Sequence, residues 1–359
     1  MKNLIIFSFL FATISFISCD QENLAKSDEI KFGDWEIIKT EVPFRYASQD
    51  LFFVNEDVGY TCGFDGAIKR TIDAGETWEH LQSNTRYNLN DVFFLNENIG
   101  FVSGKAYPWY DTINTDEGSI LLKTIDGGES WTHYNFIDYL DLTSLHFFDE
   151  MTGLAVIEVL GTWGNTKYVG RTTDGGMTWN KVDKNYNNHS CYGGFQAVDG
   201  AIFFMGVPHK IQKSTDEGFS WTEISTPDEH LDHASEIYFY DEQTGIVYSS
   251  ISSYKTVDGG LNWLKVDMPY TYHVDGRSII HLSGVNQGIS IGREYDFEST
   301  SGEFGSFLGS TIFETDDGWE SRNESEIFEN LLITKAYFVT KELGYGLNST
   351  EFYTIKNSN

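Results

Sequence analysis

Arg45, Arg86 and Arg277 are cations of the type that, brought together, grip a carboxylate bidentately. Asp111, Asp138 and Asp141 are acids of the kind glycosidic cleavage requires, where two carboxyls face each other about 6–10 Å apart for inversion. Tyr107, Trp109, Tyr110 and Trp163 offer flat apolar faces on which sugars or peptides stack. His189, His233 and His273 carry imidazoles suited to zinc, copper or nickel. No spacing among them specifies a site, and no cysteine cluster supports zinc, so neither a metal nor a cofactor is expected. All of these residues fall in connecting segments, so whether they act together depends on the scaffold that gathers them.

That scaffold is written as a repeat. Thr71-x-Asp73-x-Gly75-x-Thr77-Trp78 recurs at 124–131, 172–179, 214–221 and 256–263, with a decayed copy through Glu314, Asp316 and Gly318. The aspartates Asp73, Asp126, Asp174, Asp216, Asp258 and Asp316 stand 42 to 58 residues apart, the size of a four-stranded repeat. Each copy reads as a hairpin turn: the carboxylate accepts from its own turn's amides, the glycine permits positive φ, and the hydroxyl bonds across the turn. Trp78, Trp131, Trp179, Trp221 and Trp263 then open the next strand, where each ring buries on the order of 200 Å².

A second phrase, an apolar strand, an acidic turn and a Gly-aromatic strand, spans 51–63 and returns with variation at 92–104, 145–157, 237–249 and 336–347. Strands beginning near Leu51, Val92, Leu145, Phe195, Ile237, Ile279 and Ala336 count out seven units, the last lacking an outer strand. Trp35–Thr40 has the pattern of that missing strand. The chain therefore reads as all-β, a seven-bladed β-propeller of four-stranded antiparallel blades over 35–359, closed by its N-terminal strand. Up-and-down connection puts the box turns on one face. The opposite face receives the long irregular segments 105–118, 161–166 and 293–306 and the candidate residues above, the expected place for recognition.

The boxed turns resemble the Asp-box, or BNR repeat, of sialidases, sortilin-type receptors, xyloglucan hydrolases and photosystem assembly factors of the Ycf48 type. The Gly-aromatic phrase followed by the box is most similar to the Ycf48 subgroup, across nearly all of 35–356. This resemblance implies that the boxes are structural and that the ring serves as a scaffold or assembly factor. Ycf48-type propellers rely on an arginine-rich patch, whereas here Arg45, Arg86, Arg277 and Arg293 are scattered. Residues 42–46, Val-Pro-Phe-Arg-Tyr, resemble half of the sialidase Phe/Tyr-Arg-Ile-Pro motif and would make Arg45 a substrate-gripping arginine, though the Ile-Pro half is missing. The expectation is a non-catalytic propeller that binds a protein or glycan partner. A sialidase-like or xyloglucanase-like glycoside hydrolase using Arg45, Asp111, Asp138 or Asp141 is the alternative.

Lys2 precedes an apolar run over 4–17 that is too short to span a bilayer and typical of a signal-peptide core. Ser18-Cys19 resembles a bacterial lipobox, which implies cleavage after residue 18, a lipid on Cys19 and a tether over 19–34. Asp20 and Glu22 resemble the acidic export stretch of Bacteroidota lipoproteins, while an Asp directly after the Cys also resembles the inner-membrane retention signal of enterobacteria; the expected location is the cell envelope, at the outer membrane or cell surface ahead of the inner membrane. The net charge of -30, from 54 acidic and 24 basic residues, argues against nucleic acid and against anionic head groups, leaving the lipid as the membrane contact. Cys62 and Cys191 are expected as two buried thiols, and the ring as a monomer.

Overall fold

The computed structural model describes residues 29–40, 48–105, 118–136, 140–159, 166–182, 192–206, 210–226, 236–248, 252–266, 279–296, 306–320, 325–329, 331–348 and 351–358. They form seven antiparallel sheets, the blades of a propeller. The first strands of the blades are Ser48–Phe53, Asn88–Phe94, Leu140–Phe147, Tyr192–Val198, Glu236–Phe239, Ile279–Leu282 and Lys335–Phe338, numbered blades 1 to 7. Each starts within a few residues of its place in the sequence reading. The only described helical element is a single turn, Phe64–Gly66.

The Gly-aromatic phrase works by stacking one blade on the next. Gly59 pairs with Phe53 across blade 1, and a Cβ there would lie 2.5 Å from the Phe53 ring. The missing side chain lets the ring lie across its own sheet. Tyr60, the next residue, points to the other face and stacks on Phe94 of blade 2, 3.6 Å between centroids and 10° between planes. Phe101 stacks likewise on Phe147 at 3.5 Å, Phe203 on Phe239 at 3.8 Å, and Tyr345 on Phe53 at 3.8 Å. The last of these joins blade 7 to blade 1.

Ring closure follows from strand pairing. Trp35–Thr40 pairs antiparallel with Phe352–Asn357 and completes blade 7, burying Trp35 and Ile37. The structure adds a strand in a stretch that the sequence assigns to the tether: Glu29–Phe32 pairs antiparallel with residues 35–38 as a fifth, outermost strand of blade 7. Ile30 and Phe32 pack on the cluster between blades 6 and 7, and Phe32 meets Phe328 edge-on. Glu29 and Lys31 point outward as an ion pair, charges that blunt an exposed sheet edge. The segment 293–306, read from sequence as an irregular loop, is strand at both of its described ends. Gly288–Asp296 and Ser306–Thr315 pair far beyond the inner strand of blade 6 and project as a two-stranded arm.

The boxed turns share one hydrogen-bond plan. In blade 1 the Thr71 hydroxyl donates to Asp73 Oδ1 at 2.7 Å and accepts from the Gly75 amide at 2.9 Å, while Asp73 Oδ1 accepts from the Thr77 amide at 2.8 Å. Two successive residues take positive φ, as at Gly175 and Gly176. A Cβ on Gly176 would also sit 2.2 Å from Leu121 of the preceding blade, so this glycine serves both backbone and packing. In the sixth copy the register differs from the sequence reading by one residue. Thr315 donates to Asp317, not Asp316, and Gly318 and Trp319 occupy the two positive-φ positions. Asp316 is an exposed residue beside the turn. Trp319 fills the core from within the turn, which offsets the absence of a tryptophan after it. Asp317→Ala should therefore destabilise by about 1–2 kcal/mol and Asp316→Ala by under about 0.5 kcal/mol in chemical denaturation. Equal effects would contradict this register.

Candidate functional site

Amide bonds locate the two faces. Ala74 donates to the Asp57 carbonyl at 2.9 Å, Gly127 to Asn98 at 2.8 Å, and Gly175 to Met151 at 2.8 Å, so box turns rest on the turns joining first and second strands. The connections between blades and the loops from second to third strands form the opposite face. The sequence assigns most of the candidate residues to that face. Arg45, Tyr107, Trp109, Tyr110, Asp111, Asp138, Trp163, His189, His233, His273 and Arg277 lie outside the described residues, as do Cys19 and Cys191. Arg86 is exposed in the connection from blade 1 to blade 2. Asp141 is 2 % exposed, and its carboxylate accepts from Lys105 Nζ and from Asn90 Nδ2. Lys105 ends the second strand of blade 2 immediately before the segment bearing Tyr107, Trp109 and Tyr110, so the pair anchors the root of that loop.

A series of polar contacts that sequence reasoning missed links the inner strands of blades 7, 1, 2, 3, 4 and 5. An innermost strand has one edge without a neighbour in its own sheet, and its amides need partners. Asp50 accepts from the Val92 amide at 3.1 Å, Asp91 from Leu145 at 2.8 Å, and the Ser144 hydroxyl from Phe195 at 3.4 Å. Gln196 bonds both the amide and the carbonyl of Phe239. Lys335 of blade 7 donates to Asp50 at 3.0 Å. A register shift just before Asp50, Asp91, Ser144 and Gln196 re-aims these side chains toward the following blade. The signal was present in sequence as a polar residue three positions before Phe53, Phe94 and Phe147. Burial and the neighbouring Asp50 push the Asp91 carboxyl well above the usual carboxylate range, with Lys335 opposing. Burial likewise pushes up the thiol of Cys62, a buried free cysteine behind this cluster.

Nearer the box face, rings run from blade to blade. Phe52 lies 4.8 Å from Tyr337 and 5.2 Å from Phe93, which lies 5.2 Å from His146. Across the ring Tyr238 bonds His281 Nδ1 at 3.0 Å, while His281 Nε2 bonds the Lys341 carbonyl at 2.9 Å. His281 also stacks on Phe338 at 3.7 Å. Burial pushes the His146 and His281 imidazoles down to about 4. Each folded-state value lies below the ordinary value of about 6.5, so stability is full above that pH and is lost as pH falls toward 4. Replacing His146 with Phe should flatten the dependence of melting temperature on pH between about 6.5 and 4. An unaltered slope would remove His146 from this account.

Among the described residues no group of three or more His, Cys, Asp or Glu is arranged to hold a metal, and no helix is long and apolar enough to cross a membrane. The described part of the loop-bearing face offers exposed Arg86 and the loop root held by the Lys105–Asp141 pair.

Known structures share this fold. The chain is similar to a YCF48 structure bound to D1 peptide, with a TM-score of 0.62 and 14% identity over 93% of this chain and 100% of that one. It is similar to YCF48 from Cyanidioschyzon merolae, with a TM-score of 0.58 and 15% identity over 90% of this chain and 99% of that one. An ancestral GH74 enzyme matches with a TM-score of 0.57 and 16% identity over 90% of this chain but 46% of its own length. No protein-family model and no curated protein sequence matches. At these identities the likeness defines the class of protein, a seven-bladed β-propeller.

Proposed function

We propose that this chain is a non-catalytic, lipid-anchored propeller of the cell envelope that binds a protein partner through its loop-bearing face. The observation that carries this reading is the YCF48 match, which takes in the whole of a single ring whose structure holds a peptide. The GH74 match spans less than half of that enzyme. Asp141, the one described candidate acid, is occupied as a buried anchor for a loop. With a net charge of -30, the partner's contact surface is basic. The anchor is the lipid on Cys19, and the location is the outer membrane or cell surface.

Purified residues 20–359 incubated with sialosides and β-glucans should release no sugar, while binding of Lys/Arg-rich peptides should weaken as salt rises. Turnover that disappears in Arg45→Ala or Asp111→Ala would establish the glycosidase alternative instead. For the anchor, Cys19→Ala should move the protein from the membrane fraction to the soluble one, and continued retention would sink the lipid assignment.

A further inference from the structure

The outermost strand Glu29–Phe32 reverses the chain before it enters the ring. Trp35 pairs with Asn357, and the Asn357 amide donates to the Glu342 carbonyl in the turn between the first two strands of blade 7. Trp35 therefore stands at the box face. A chain entering the ring there directly would carry its anchor on that face. Instead it turns back through Gly33, at φ +57, and Asp34, whose amide reaches the Glu314 carboxylate of blade 6 at 3.3 Å. Phe32 pairs with Trp35 and Glu29 with Ile38, so the chain runs toward the box face as it passes from 29 to 32. Glu29 therefore stands nearer the loop-bearing face than Phe32 does.

We infer that Glu29–Phe32 holds the loop-bearing face toward the membrane and the box face away from it, so that the partner is a protein of that same bilayer presenting a basic segment at its surface. The inference rests on the lipid anchor and binding face proposed above. Two further observations agree with it. Nine residues, 20–28, separate Cys19 from the strand, a span of at most about 30 Å when fully extended. The two-stranded arm of blade 6 projects from the loop-bearing face, and the last strand of the same blade carries Phe328, the contact of Phe32. The arm and Glu29, the first described residue, thus stand on one side of the ring. The acidic charge keeps the face from adsorbing to anionic lipid and leaves it open to a cationic protein segment held close by the tether.

The test uses the full lipidated chain in vesicles of phosphatidylethanolamine and phosphatidylglycerol containing an acceptor-labelled lipid. In a Cys191→Ser background, a donor dye is placed at Arg86→Cys on the loop-bearing face or at Leu261→Cys, 84% exposed in a box turn. Energy transfer to the bilayer should be several-fold higher from position 86 than from position 261. Equal or reversed transfer from protein that mass spectrometry shows to carry lipid on Cys19 would overturn the orientation while leaving the anchor intact. Absence of lipid on Cys19 would overturn both.

Discussion

Deleting residues 29–40 should abolish the cooperative thermal transition of this protein. The deletion removes two strands of blade 7, takes the Trp35 and Ile37 side chains, 2 % and 1 % exposed, out of the core, and uncovers the edge of Phe352–Asn357. Burying two such side chains contributes on the order of 5 kcal/mol, against a typical total of about 5–15 kcal/mol for a domain. The loss also opens the ring, so the remaining blade stacks no longer constrain one another. Moving residues 35–40 to follow residue 359 should restore the transition. Ser358 already donates its amide to the Asp34 carbonyl at 2.7 Å, so the transplanted strand would continue as a hairpin from the chain end. Differential scanning calorimetry decides the matter. An unchanged transition in the deletion would refute closure by this strand.

The second large effect should come from Phe147→Ala. Phe147 is 2 % exposed, lies nearly parallel to Phe101 of blade 2 at 2°, and receives Trp179 of its own blade edge-on at 6.0 Å. Truncation should cost about 3–5 kcal/mol and lower the melting temperature by roughly 5–10 °C. The cavity opens against Gly153, which has no side chain to fill it. Phe219→Ala serves as the control: its ring is 70% exposed and lies over Arg171, so the change should stay within about 0.5 kcal/mol. Comparable losses at both positions would contradict the assignment of inter-blade cohesion to the Phe101–Phe147 stack.

Much of the ring was legible in the sequence because its units repeat. Seven strand starts and the closing role of Trp35–Thr40 could be read from patterns that recur, and the structure bears out both. Features that occur once were harder to read. Glu29–Phe32 alternates apolar and charged residues over only four positions, too few for a period to stand out from a polar tether. The sixth turn misled because Glu314, Asp316 and Gly318 imitate the spacing while the hydroxyl that directs the turn belongs to Thr315. The arm within 293–306 was obscured by Gly and Ser residues that ordinarily mark loops.

The candidate site was less legible than the fold. Residue type alone nominated Asp141 for catalysis, but its role depends on Lys105 and Asn90, one neighbour 36 and the other 51 positions away. Asp50 and Asp91 drew no notice, since among 54 acidic residues nothing in composition separates a carboxylate that caps a neighbouring strand from one that is solvated. Burial makes that distinction, and burial is a property of the assembled ring.

The most direct test of the central claim is site-specific photocrosslinking of the full chain in its own envelope, with the photoreactive residue at Arg86 on the loop-bearing face or at Leu261 on the box face. Position 86 should give a discrete crosslinked protein carrying a basic segment, and position 261 none. A discrete product from position 261 alone would place recognition on the opposite face and contradict the account.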